Sequence, residues 1–196
     1  MNNSWVIFVA YLIGSIPFSF LVGRWWKGID IRQCGSGNVG TTNVWRTAGP
    51  VAGIIALAGD LGKGVLAVIL ARHFGGPWLV TLAGAAVLAG HSWPLFLGFK
   101  GGKLIATAAG VFAAVSFPVL ACTAVIWFVL VGIFRYISLA SILGIISIPI
   151  LMAAFHLDFP YILLGVFAAV FAVYKHIPNM KRLANGTEPK INLKKW

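Results

Sequence analysis

Residues 35–46 read Gly-Ser-Gly-Asn-Val-Gly-Thr-Thr-Asn-Val-Trp-Arg, a polar run in a chain that is otherwise mostly hydrocarbon. Glycines let the backbone turn at positive φ and aim successive N–H groups at one point. Such a concavity, running into the start of a helix, suits an anion. Ser36, Asn38, Thr41 and Asn43 add neutral donors and Gly37 admits close backbone approach, while Arg46 can grip a phosphate through two parallel hydrogen bonds. A second cluster follows at residues 90–103, Gly-His-Ser-Trp-Pro-Leu-Phe-Leu-Gly-Phe-Lys-Gly-Gly-Lys. His91, Lys100, Gly101, Gly102 and Lys103 could form another turn for a phosphate or an oxyanion. It is not a P-loop, because Leu97 holds the place of the earlier glycine and Leu104 that of the Ser or Thr. A third cluster begins at Lys175, with His176 and Asn179 ahead of Lys181 and Arg182.

Two weaker signals lie inside apolar stretches. Asp60 and Lys63, three apart, share a helix face; they are either a functional pair or an ion pair that fixes helix packing. Ser138 and Ser141 also share a face. Hydroxyls there commonly satisfy a neighbouring helix, and Ser141 is a candidate ligand as well. The match of residues 35–40 to G-x-G-x-x-G is misleading. A dinucleotide site needs a strand before the glycines, and the acid twenty residues after Gly40, Asp60, lies in an apolar helix.

The elements that must position these clusters are membrane helices. Mean hydropathy is +0.94, and 10% of residues are charged, against about 25% in a soluble domain. The net charge of +11, from 15 Lys and Arg against 4 acids, fits the excess of basic residues in cytoplasmic loops; no nucleic-acid partner is expected. Cys34 and Cys122 make no disulfide framework. No basic region precedes the first apolar stretch, so no cleaved signal peptide is expected.

Apolar stretches cover residues 5–22, 51–71, 78–97, 104–134, 137–155 and 159–174. The fourth is too long for one crossing of a core about 30 Å thick, and Pro118 lies near its middle. The basic loops at 23–50 and 99–103 and the basic tail should all face the cytoplasm. Six spans would put the tail outside, whereas splitting the fourth stretch puts it inside. The expected fold is therefore all-α: a polytopic bundle of seven transmembrane helices, two of them short, with the N-terminus outside and the C-terminus cytoplasmic. Residues 1–196 should form a single integral-membrane domain without repeats.

Absences narrow the chemistry. No histidine is followed five residues later by aspartate, so the H-x4-D pattern of common acyltransferases is missing. The run Gly-His-Ser-Trp-Pro lacks the closing glycine of a nucleophile elbow. The 4 acids are too few for a multi-carboxylate metal site, and no metal or cofactor is expected. What is present is a cationic, donor-rich surface for anionic ligands. An enzyme and a transporter of an organophosphate or other anion both use such a surface. The transporter predicts broken helices binding substrate at midplane and internal symmetry, and no symmetry is visible.

The chain resembles the bacterial acyl-phosphate:glycerol-3-phosphate acyltransferases over nearly its whole length. The resemblance rests on Tyr-Leu-Ile-Gly-Ser-Ile-Pro-Phe at 11–18, the run at 35–46, Gly-Asp-Leu-Gly-Lys-Gly at 59–64, the run at 90–103, Arg-Tyr-Ile-Ser-Leu-Ala-Ser-Ile at 135–142 and Asn-Gly-Thr-Glu-Pro-Lys-Ile at 185–191. Thr41, Trp93, Leu104 and Ile177-Pro178 depart from the family pattern, and Leu104 replaces the last glycine of a GGKG turn. The resemblance implies a multi-pass enzyme of the bacterial inner membrane with its site facing the cytoplasm. It would move an acyl group from acyl-phosphate to glycerol 3-phosphate, giving lysophosphatidic acid and phosphate. Membrane lipid and an enzyme that makes acyl-phosphate are its implied partners. His176, Asn179, Lys103 and Arg46 would be catalytic, and Ser36, Gly37, Asn38, Thr41, Asn43, His91, Lys100, Gly101, Gly102 and Ser141 would bind substrate.

Overall fold

The computed structural model describes residues 3–191, and their regular structure is helical. The chain divides between Val115 and Ser116 into two compact units.

In the first unit, α1 (Trp5–Ser15) and α2 (Phe18–Lys27) form one run broken at Ile16-Pro17. The expected uninterrupted stretch at 5–22 overlooked this break, although Pro17 cannot supply a backbone N–H. Gly28, at φ +67, closes α2 by donating its N–H to Arg24 O. The loop that follows leads to a short helix, α3 (Thr41–Ala48). Prolines then open α4 (Pro50–Phe74) and α5 (Pro77–Ser92), where the missing N–H costs nothing. A 3-10 turn at Leu95–Leu97 and the glycine turn precede α6 (Ile105–Val115). Helix α1 packs on α5, and α4 on α6. Both crossings are close: a Cβ on Gly14 or Gly90 would strike the backbone of Val87 or Tyr11, and one on Gly64 or Gly110 that of Thr107 or Leu61. Lipid offers no hydrophobic drive between helices, so close contact at small residues supplies the attraction.

The second unit holds α7 (Phe117–Phe134), α8 (Ile137–Ala154), α9 (Phe159–Lys175) and α10 (Ile177–Ala184). Ser116 is extended, and Phe117 and Pro118 restart the chain as a helix, so the long apolar stretch does split where its proline indicated. Helix α8 packs on both α7 and α9. Ile191 donates its N–H to Arg135 O, which ties the chain beyond α10 back to the start of α8. The expected basic tail is in part a helix, α10, bent by 57° from α9.

Among the described residues, five helical runs are long and apolar enough to cross a membrane, or six when α9 and α10 count as one bent span. Large apolar side chains such as Phe8, Phe128 and Val170 lie more than 60% exposed, which suits a chain whose outer surface meets lipid. The protein is thus an all-helical, multi-pass membrane bundle.

Candidate active site

The loop before α3 is wrapped around one side chain. Asn43 is buried; its Oδ1 accepts the Ser36 N–H at 3.0 Å. Its Nδ2 donates to Ile31 O at 2.8 Å, Cys34 O at 3.1 Å and Asn38 O at 3.1 Å. Gly35, at φ +58, lies so close that a Cβ would land on Asn43 Oδ1. The Asn43 amide, expected to face a ligand, is thus engaged by the loop's own backbone. Other groups are left outward: Ser36 and Gly37 are exposed and Asn38 half-buried. The Thr41 hydroxyl, at the first residue of α3, is buried and has no hydrogen-bond partner. Arg46 is exposed in the last turn of α3 and joins no ion pair among the described residues. Arg32 differs, because it is paired to Asp30 at 2.7 Å and lies over the Phe20 ring. Hydrogen bonds from Arg32 hold the Asp30 carboxyl down at about 2.

The second glycine turn is pinned to the end of α5. Gly101 donates its N–H to Ser92 O at 3.3 Å, and Gly102 donates to His91 O at 3.2 Å. The two amides expected to polarise a carbonyl therefore point at helix-end carbonyls that would otherwise lack donors. Neither glycine has room for a side chain. A Cβ on Gly101 would strike His91 O and Pro94, and one on Gly102 would strike the His91 ring at Nε2 and Val39 O. Val39 belongs to the first loop, so the two motifs, some sixty residues apart, are in contact within this unit. Lys103 is half-buried and Lys100 exposed. Leu104 has φ +61 and is fully buried, which gives the family's glycine at this position a physical reason.

Next to the two turns lies a buried polar layer between apolar helices. Lys63 Nζ is 2.9 Å from Asp60 Oδ1 and donates to Ile16 O at 2.9 Å. Ser19 Oγ donates to Asp60 Oδ2 at 2.7 Å. His91 Nδ1 lies 3.5 Å from Asp60 Oδ1 and 3.1 Å from Thr107 Oγ1. A small cleft joins this layer to the turns, lined by Gly14, Pro17, Ser19, Val39, Asp60, Lys63, His91, Pro94 and Gly101. Ser19 and Thr107 were missed in the sequence, where single hydroxyls among apolar residues carry little signal.

The remaining candidates belong to the second unit. His176 is buried at the end of α9, with Nδ1 2.8 Å from Ala172 O. A carbonyl only accepts, so Nδ1 carries the proton and Nε2 holds the lone pair of the neutral ring. Asn179 Nδ2 donates to Glu188 Oε1 at 2.7 Å, and Arg182 Nε donates to Glu188 Oε2 at 2.7 Å. Burial pushes the Glu188 carboxyl up, but the Ser138 hydroxyl, Asn179 and Arg182 more than offset it and hold it below its ordinary value. Ser141 Oγ accepts the Trp127 Nε1–H at 3.2 Å.

This arrangement has close counterparts among known proteins. A family model described as glycerol-3-phosphate acyltransferase matches residues 4–186. A glycerol-3-phosphate acyltransferase of Desulforamulus reducens is 53% identical over 191 residues, covering 97% of this chain and 96% of that protein. Glycerol-3-phosphate acyltransferase 2 of Moorella thermoacetica is 48% identical over 183 residues, with 93% and 94% covered. Among solved structures, the integral membrane glycerol 3-phosphate acyltransferase PlsY in its glycerol 3-phosphate form superposes with a TM-score of 0.94 at 35% identity, over 98% of this chain and 96% of that one. Its lysophosphatidic acid form superposes at 0.93 and 34% identity, over 100% and 98%. The family match, the near-complete coverage and the shared fold agree, and the chain belongs to the family of integral-membrane glycerol-3-phosphate acyltransferases.

Proposed function

We propose that this enzyme transfers a fatty acyl group from acyl-phosphate to the 1-hydroxyl of glycerol 3-phosphate. The hydroxyl oxygen attacks the carbonyl carbon, the bond from that carbon to the phosphate oxygen breaks, and lysophosphatidic acid and inorganic phosphate leave. Phosphate is already a good leaving group, so neither a nucleophilic side chain nor a metal is required. The observation that carries the site assignment is the buried, unpartnered Thr41 hydroxyl. It stands where the glycine loop enters α3, on the same short helix as Arg46, which joins no ion pair among the described residues. Buried polar groups are nearly always satisfied, and a helix start suits a phosphate, as does an arginine.

Ser36, Gly37, Asn38 and Thr41 hold one phosphate, Arg46 and Lys103 neutralise it, and Asn43 shapes the loop. His91, Lys100, Gly101 and Gly102 complete the binding surface of the first unit. The two glycines contribute close approach, since their amides serve α5. His176 and Asn179 orient the acceptor hydroxyl, with Ser141 as a further ligand. The proton goes either to His176 Nε2 or to a substrate phosphate oxygen; a flat pH profile through neutrality with His176→Ala retaining most kcat selects the phosphate.

On this reading the short α6 counts as a crossing beside up to six candidate spans, giving seven, with the N-terminus outside and with the C-terminus and the basic loops on the cytoplasmic side of a bacterial inner membrane. The acyl tail then remains in lipid while glycerol 3-phosphate arrives from water, and an acyl-phosphate-producing enzyme supplies the donor. The test is to incubate purified protein with glycerol 3-phosphate and either acyl-phosphate or acyl-CoA. Lysophosphatidic acid is expected with acyl-phosphate alone; product from acyl-CoA overturns the donor assignment. Arg46→Ala should collapse kcat/KM for glycerol 3-phosphate, and unchanged kinetics would remove Arg46 from the site.

A further inference from the structure

We infer that Asp60 is a positioning residue for the 101–103 turn and acts on it through His91. A carboxylate buried in mid-span is costly unless it is paired, and part of its pairing has a plain structural use. The break between α1 and α2 interrupts the helical hydrogen bonds of its backbone carbonyls, which a membrane span must satisfy internally, and Ile16 O keeps only the Phe18 N–H at 3.2 Å from the backbone. Lys63 donates to one of them, Ile16 O, and Ser19 just past the break donates to Asp60 Oδ2. The pair thus staples a broken helix.

That use engages Oδ1 only through Lys63. This oxygen pairs with Lys63 and also faces His91 Nδ1 at 3.5 Å. Thr107 Oγ1 meets the same ring nitrogen at 3.1 Å from the other helix in this layer, α6. One edge of the imidazole therefore faces two side chains, Thr107 at hydrogen-bond distance and Asp60 Oδ1 at 3.5 Å, while the opposite edge, at Nε2, abuts Gly102 where no Cβ fits. A ring fixed at one edge sets how far the turn can settle at the other, and Lys103 is the next residue. A carboxylate cannot donate, so it favours the proton on Nδ1 and biases the ring orientation, as a carboxylate behind a metal-bound histidine does. Asp60 itself touches neither turn in this role.

The inference rests on the assignment of the 101–103 turn to the reaction, and the two can fail separately. The experiment is a double-mutant cycle in the purified enzyme, with kcat at saturating substrates and thermal midpoints read for Asp60→Asn, Thr107→Val and His91→Gln, singly and with the His91 change combined. Gln retains a nitrogen near the Nε2 position and gives up the one at Nδ1. If His91 carries the effect, Asp60→Asn lowers kcat about tenfold in the parent and less than about twofold in the His91→Gln background, a coupling of the size found between members of one network. Thr107→Val shows the same pattern with a smaller loss and leaves the Asp60–Lys63 pair intact, so it decides alone if Asp60→Asn does not fold. Equal fold-losses in both backgrounds, or lowered midpoints with unchanged kcat, overturn the positioning role and leave Asp60 as a helix staple. Unchanged turnover in Lys103→Ala instead overturns the assignment of the turn.

Discussion

Two polar segments carry most of the proposed site residues, one in each unit, and each is organised by a single side chain. Asn43 organises the loop before α3, and Glu188 organises the segment around α10. Asn43 is neutral; its amide offers both donors and an acceptor, and all are spent on backbone groups of its own loop. Glu188 is an anion that only accepts, and it binds two side chains, Asn179 and Arg182. The first segment thus has a shape that does not depend on protonation, and among the described residues Arg46 joins no ion pair. In the second, the orientation of Asn179 depends on a charge. The difference separates a loop built to present positive charge from one that uses a carboxylate to hold a neutral group.

Removing the organisers should test this contrast most severely. Asn43→Ala strips four hydrogen bonds from a buried site and should cost about 3 kcal/mol or more, with activity lost and the loop opened to proteolysis. Survival of the loop would mean that its glycines suffice. Glu188→Gln keeps the shape but exchanges an ionic acceptor for a neutral one. It should cost about 1–2 kcal/mol, lowering kcat and the thermal midpoint while leaving affinity at the first segment unchanged.

Acidification makes the same cut without a mutation. The folded Glu188 pKa lies below its ordinary 4.5, so its stabilisation is fully present above that value and is lost as pH falls through the lower folded value. Acid should therefore loosen the segment around α10, read by hydrogen exchange, while residues 35–43 stay protected. Loss of both together would refute the distinction. The smallest effect belongs to Gly37, at φ +68 and with only Arg32 O near a built Cβ. Gly37→Ala should cost about 1–2 kcal/mol in backbone strain, with a modest rise in KM. A complete loss of activity would instead place its backbone against the ligand.

Much of this was legible from residue types. Length and proline placed the break at Ser116, whereas Pro17 gave the same signal and was overlooked inside a shorter stretch. The spacing of Asp60 and Lys63 identified a pair but not its clients, Ile16 O and Ser19, which lie over forty residues earlier. Helices α3 and α10 went unread because eight polar-rich residues carry too little periodicity to stand apart from loop.

The sequence by itself determined the solvent, the order of the motifs and the chemistry available. Hydropathy, charge and residue type are properties of the chain, whatever its path. Only the tertiary structure decided which donors remain for a ligand. An amide has the same capacity in any loop, and what uses it is whatever carbonyl the fold brings within about 3 Å. That proximity gave Asn43 to the loop and the Gly101 and Gly102 amides to the end of α5, and among the described residues it left the buried Thr41 hydroxyl without a hydrogen-bond partner and the exposed Arg46 without an ion pair.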